Sequence, residues 1–115
     1  MEVTPKNILI FRSKTNKEPF TEWFRSLKDT RAKQKVIARL ARVRTGNLGT
    51  INSVGEGVQE LKIDYGPGFR IYFGQEGNEL VILLCGGDKK TQDSDIREAK
   101  AYWKEFKKEK SYANY

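Results

Sequence analysis

Residues 60–73 read ELKIDYGPGFRIYF, and the chemistry they offer is cationic. Alternation along extended strands puts Lys62 and Arg70 on one side, opposite the side that carries Leu61, Ile63, Phe69, Ile71 and Phe73. The YGPG stretch supplies glycine and proline for a turn, so the two cations should stand on neighbouring strands. Lys89 and Lys90 follow the next apolar run. Tyr65 and Tyr72 offer rings on which bases can stack. If helices cover only the apolar side, a concave cationic sheet surface is left for phosphate. An ordinary solvated sheet face also carries Lys and Arg, and the pattern alone does not separate the two.

A second basic feature lies upstream. Arg31, Lys33, Lys35, Arg39, Arg42 and Arg44 occur with no acidic residue between them. Such a stripe suits a phosphate backbone or ribosomal RNA, and it also suits a solvated helix face. The net charge of +7 on 115 residues favours a polyanionic partner. Nucleic acid comes first among these and an acidic protein second.

Other chemistries are excluded or weakened. The chain has no histidine, so a Ser–His or Cys–His nucleophile is ruled out. A lone cysteine without histidine matches no common zinc signature, and neither a metal nor a cofactor is expected. Asp93 and Asp95 read as helix-capping residues. The GPG and CGG stretches fit no dinucleotide or P-loop spacing. Cys85 reads as a buried, inert thiol, and a single cysteine fits a reducing cytoplasm. No apolar run reaches bilayer length, so no membrane span is expected. The start MEVTPKNILIF lacks a leader pattern, so secretion is not expected either.

The elements that must position these groups form one domain, 1–115, with its core at about 7–105. Hydrophobic residues at 37% against 32% charged indicate a folded rather than a disordered chain. Residues 7–13 read as a buried strand. Pro19 suits a first helical position, with Phe20, Trp23, Phe24 and Leu27 on one face. Asp29 caps a second helix running to about Thr45, with Val36, Ile37, Leu40, Ala41 and Val43 as its core stripe. The two helices should form an antiparallel hairpin. INSVGEG reads as a loop. Strands at about 58–64, 69–74 and 79–85 should make an antiparallel meander, with ELVILLC in the middle of the sheet. Ser94 is read as the cap of a third helix, with Ile96, Ala99, Trp103 and Phe106 facing the core. The tail KKEKSYANY reads as frayed. The class is α+β, in the order β-α-α-β-β-β-α.

ELKIDYGPGFRIYF, followed by ELVILLCGGDKKTQDSDIREA, resembles the RelE/ParE toxin superfamily. Within it the chain is most similar to the HigB-like, phage Gp49-related addiction module killer proteins. PFTEWFRSLKDTRAKQKVIARLARVRTGNLG resembles that group's helical hairpin. The resemblance implies a RelE-like, antiparallel-rich sheet carrying a helical hairpin and a C-terminal helix. It implies the toxin of a type II toxin–antitoxin pair, whose antitoxin is a helix-turn-helix protein from the neighbouring gene. RelE-like members cut mRNA on the ribosome and so stop translation. ParE-like members inhibit DNA gyrase on the same fold, and a degenerate member would only bind nucleic acid. Arg70 matches the arginine that RelE-type toxins set against the scissile phosphate, and Lys62 matches a strand lysine. The family's preceding lysine falls at Glu60 and is missing. A tyrosine used by some RelE toxins falls at Ile96, and the histidines of many HigB-type sites are absent.

Metal-independent RNA cleavage needs a base for the ribose 2′-OH, an acid for the leaving 5′-oxygen and cations for the phosphorane charge. Arg70 suits only the last role, because it stays charged. Lys62 is the candidate base, and its cationic neighbours favour its neutral form. Tyr65 or Lys90 would supply the acid, and Lys89 or Lys90 adds a cation beside Lys62. Tyr72, Arg31, Lys35, Arg39 and Arg42 would hold the RNA.

Overall fold

The apolar run at residues 7–11 becomes a strand buried on both sides. Ile8 and Ile10 enter one hydrophobic cluster, while Leu9 and Phe11 pack with another. In the computed structural model, which describes residues 4–115, this strand is β1 (Asn7–Phe11). Residues 1–3 of the expected domain lie outside the described residues. There follow α1 (Pro19–Ser26), α2 (Thr30–Arg44), β2 (Ile51–Gly55), β3 (Val58–Ile63), β4 (Phe69–Glu76), β5 (Leu80–Asp88), α3 (Gln92–Glu109) and β6 (Tyr112–Asn114). The six-stranded sheet has the order β2-β3-β4-β5-β1-β6. Among the described residues only the β1–β5 pair is parallel.

The α+β class and the β3–β4–β5 meander agree with the expectation. β5 sits between β4 and β1, as its unbroken apolar run requires. Pro19 opens α1. The Asp29 side chain caps α2 by accepting from the Arg31 N–H at 2.9 Å.

Several expectations need correction. INSVG is strand β2, not a loop. It joins β3 through Glu56 and Gly57, whose φ values of 55° and 84° make the primed hairpin turn that suits strand twist. The tail is not frayed: Lys110 adopts a left-handed φ of 54°, and the chain turns back to lay β6 antiparallel on β1. β1 is shorter than expected and stops at Phe11. Thr91, not Ser94, is the N-cap residue of α3, and the Ser94 hydroxyl donates to the Thr91 carbonyl at 3.0 Å. In α2 the core stripe is Ala32, Val36, Leu40 and Val43, while Ile37 is 50% exposed and Ala41 is also exposed. Four-residue steps from Ala32 through Val36 to Leu40 give one face, and Ile37 lies off it.

The largest correction concerns the layers. α1 and α2 cover one face of the sheet, over Leu61, Ile63, Phe69, Ile71 and Phe73. α3 covers the other, where Ala99, Trp103 and Phe106 pack on Val58, Tyr72, Ile82 and Leu84. The second face is therefore not an open surface. Tyr72 is wholly buried and has no ring free to meet a base.

A bulge adjusts the sheet beneath these helices. Phe73 pairs with Leu83 and Tyr72 with Cys85, so Leu84 is an extra residue in β5. The insertion reverses the alternation beyond it. Gly86 falls on the α1 side under the Trp23 ring, and Gly87 on the α3 side under Asp95 and Thr91. A Cβ at Gly86 would overlap the indole, which needs a bare backbone there. Gly86→Ala should cost about 1–3 kcal/mol through forced repacking. Urea unfolding would read this as a lower midpoint at unchanged slope. An unchanged midpoint would mean that Trp23 has room to move.

Candidate functional site

Lys62 and Arg70 are direct cross-strand partners in the β3–β4 register. The turn between them closes with the Gly68 N–H donating to the Tyr65 carbonyl at 3.0 Å. Gly66 has a φ of 56° at the first central position and Pro67 occupies the second, the pattern of a primed turn. Lys62 is exposed, whereas Arg70 is only 8% exposed. With Lys89 and the turn backbone they line a shallow cavity of about 420 Å³. Arg70 pairs across β5 with Gly87, whose lack of a side chain keeps that flank low.

Arg70 is held from below by a carboxylate. Glu60 is 3% exposed, and its Oε2 lies 3.6 Å from Arg70 Nε. The same oxygen accepts from the Tyr72 hydroxyl at 3.0 Å and from Gln92 Nε2 at 2.9 Å. Arg70 Nη1 makes a long contact of 3.4 Å to the Gly68 carbonyl. The Nε has no hydrogen-bond partner among the described residues. Burial, followed by the charge and hydrogen bond of Glu60, pushes the Tyr72 phenol up, so it stays a proton donor. Sequence reasoning placed Glu60 only as a missing lysine and did not place Gln92. The available signal was alternation, since Glu60 and Lys62 share a face of β3. Their different exposure follows from where α3 begins.

The remaining candidates divide. Lys89 joins Lys62 and Arg70 in the cavity, and Lys90 does not line it. The Lys90 N–H instead donates to Asp88 Oδ1 at 2.9 Å. Tyr65 turns toward α2 and donates to Asp29 Oδ2 at 2.8 Å. It lines a depression with Arg31 and Lys35 rather than the cavity at Arg70. Lys35, Arg39, Arg42 and Lys62 border another groove. Arg39, expected to hold RNA as part of the basic stripe, is 9% exposed, and its Nη2 donates to the Leu48 carbonyl at 2.5 Å. Burial pushes the Cys85 thiol up, which makes it unreactive, as expected of an inert core thiol. No helix among the described residues is long and apolar enough to cross a membrane.

A sheet layered between helices, with Lys62, Arg70 and Lys89 gathered at the β3–β4 turn, defines a small α+β protein. Residues 22–108 match the family described as phage derived protein Gp49-like (DUF891), and the chain belongs to that family. A protein of Haemophilus influenzae (strain ATCC 51907 / DSM 11121 / KW20 / Rd), described as an uncharacterized protein, is 53% identical over 81 residues. The alignment covers 70% of this chain and 82% of that relative.

Tyr72→Phe should cost about 1–3 kcal/mol, because it removes a donor from a buried carboxylate. Chemical unfolding would measure this, and an unchanged stability would mean that Gln92 and Arg70 suffice. The Tyr65 hydroxyl holds the Asp29 carboxyl below its ordinary range. Since the folded value is depressed, this tie contributes above the unfolded carboxylate range and is lost as pH falls through the folded value. Tyr65→Phe should move the Asp29 titration upward, as followed by NMR of its side-chain carboxyl. A titration that stays in place would show that the capped backbone N–H groups hold Asp29 without Tyr65.

Proposed function

We propose that this Gp49-like protein is the toxin of a type II toxin–antitoxin pair with a RelE/ParE-type fold, and that it cleaves mRNA on the ribosome. Its partners would then be the mRNA, the ribosome and a cognate antitoxin that masks the cationic surface. The observation that carries this reading is the direct opposition of Lys62 and Arg70, with Lys89 beside them. Like charges facing each other across a strand pair destabilise a sheet. An anion between them converts that cost into binding, and a phosphodiester has the matching charge and shape. The family match supports the toxin class, and the cationic cavity supports the nucleic-acid substrate.

In the proposed reaction the ribose 2′-oxygen attacks the adjacent phosphorus, and the bond to the 5′-oxygen breaks. Lys62 would take the 2′-OH proton. Lys89, protonated, gives a proton to the departing 5′-oxygen. The products are a 2′,3′-cyclic phosphate and a 5′-hydroxyl. Arg70 stays charged and meets the negative charge that builds on the phosphorane oxygens. Glu60 fixes the guanidinium before substrate arrives, so little reorganisation is needed during reaction. The ribosome would orient the mRNA, a contribution that can reach about 7–11 kcal/mol.

The test is inducible expression in a bacterium with mapping of mRNA 5′ ends. Arg70→Ala alone leaves Glu60 as an unpaired buried charge, so it should be combined with Glu60→Gln to protect the fold. Loss of the phosphate-binding cation should lower cleavage by about 10²–10³-fold, as for removal of one oxyanion donor. Clustered cuts that disappear in the folded double variant are expected. Growth arrest with intact mRNA and broken DNA would overturn the reading in favour of gyrase. Cuts that persist in the double variant would remove Arg70 from the mechanism.

A further inference from the structure

Beside the cavity at Arg70 lies a groove of about 460 Å³, bordered by Lys35, Arg39 and Arg42 of α2, by Thr50, and by Lys62 and Asp64 at the end of β3. Arg39 sets it apart from a solvated basic face. The side chain is packed into the molecule, and its guanidinium lies over Gly49. Gly49 has a φ of +64°, and a Cβ there would meet Arg39 Cζ at 3.0 Å. A glycine is therefore needed for the arginine to lie as it does. Nη2 is bonded to the Leu48 carbonyl, but Nη1 is buried without a hydrogen-bond partner among the described residues. No carboxylate among the described residues lies within ion-pair distance of Arg39. Burial, and then the charge of Arg42, disfavour its charged form, yet a guanidinium does not give up its proton in a protein. A buried guanidinium without a counter-ion is costly, and an oxyanion in the groove supplies the opposite charge.

We propose that this groove is a second phosphate subsite, so that the two depressions together take consecutive phosphodiesters of one single-stranded RNA. The proposal rests on reading the Arg70 cavity as an RNA site and extends it along the strand. Lys62 is the link, because it borders both depressions. A strand with one phosphate at Arg70 continues past Lys62 and reaches Arg39, Arg42 and Lys35 with the next. The Thr50 hydroxyl is a further donor in the same wall. Asp64 also borders the groove, but it is exposed and can turn to solvent. The substrate class that fits is a polyribonucleotide with at least two adjacent phosphates, rather than a mononucleotide. The backbone, not the base, is what this subsite reads.

The experiment is fluorescence anisotropy with a short single-stranded RNA bearing 2′-O-methyl groups, which cannot be cut, over a range of salt. Lys35→Gln combined with Arg42→Gln changes only exposed side chains. This pair should weaken binding and reduce the slope of log affinity against log salt by about 0.7–1. Lys104→Gln combined with Lys108→Gln removes the same charge from α3, on the other side of the sheet, and should leave the slope nearly unchanged. Equal losses in both pairs would overturn the subsite in favour of a general field. An unchanged slope in the α2 pair would overturn it as well. The Arg70→Ala, Glu60→Gln variant separates this result from the wider reading. If that variant loses affinity and the α2 pair does not, only the second subsite falls. If neither loses affinity, the RNA site itself falls.

Discussion

One carboxylate oxygen, Oε2 of Glu60, ties together β3, β4 and α3. It takes hydrogen bonds from Tyr72 and Gln92 and faces the Nε of Arg70. A buried charge is tolerated only when it is matched and hydrogen-bonded. Removing any of these neighbours leaves a charge or a polar group stranded beneath α3. The cluster also restricts the sequence around it. Tyr72 needs its hydroxyl, α3 must begin where Gln92 reaches inward, and Arg70 must remain a cation. Such a pair is weak evidence for stability in itself, because an apolar replacement often packs as well. Its contribution here is directional, since it fixes a guanidinium at the mouth of a cavity.

The arrangement of layers follows from the same region. α3 covers the sheet over Tyr72, Ile82 and Leu84, but its first turn stops short of Lys62. The cationic site is thus the uncovered end of a face that is otherwise closed. Its concavity comes from a helix terminus, a hairpin turn and Gly87 in β5. The bulge at Leu84 belongs to this construction. It assigns Gly87 to the α3 side, where a side chain would collide with Asp95 and Thr91. Local geometry around one extra residue therefore governs what stands on both faces of β5.

Much of this was legible in the residues. Pro19, the Asp29 cap, the YGPG turn and the apolar ELVILLC run each carry a local signal that survives folding. The opposition of Lys62 and Arg70 followed from alternation and the turn between them. What was not legible depends on contacts between distant segments. β2 contains Asn52 and Ser53 and borrows its strand character from β3 and from the Glu56–Gly57 turn. β6 is a three-residue stretch, and only the exposed edge of β1 makes it a strand. Tyr72 shares its side of β4 with Arg70, which reads as a polar face, and its burial was decided by α3. Arg39 reads as one more cation in a basic stripe. Its burial depends on Gly49, ten residues later, adopting a left-handed conformation. Ile37 shows the reverse case, an apolar residue one step off the core face.

The parallel pairing of β1 with β5 bears on how the chain acquires its structure. Asn7 pairs with Leu80 and Ile10 with Leu83, whereas β2 to β5 pair with their sequence neighbours. Long-range pairings carry a larger loop-closure cost and tend to form later. The meander that carries Lys62 and Arg70 is therefore the local, quickly closed half. β1 waits for β5 and receives β6 only after α3 has been made. A chain interrupted before α3 would hold the paired cations but lack Gln92 and the helical cover over Glu60. Synthesis itself thus delays a finished cationic site until α3 has emerged.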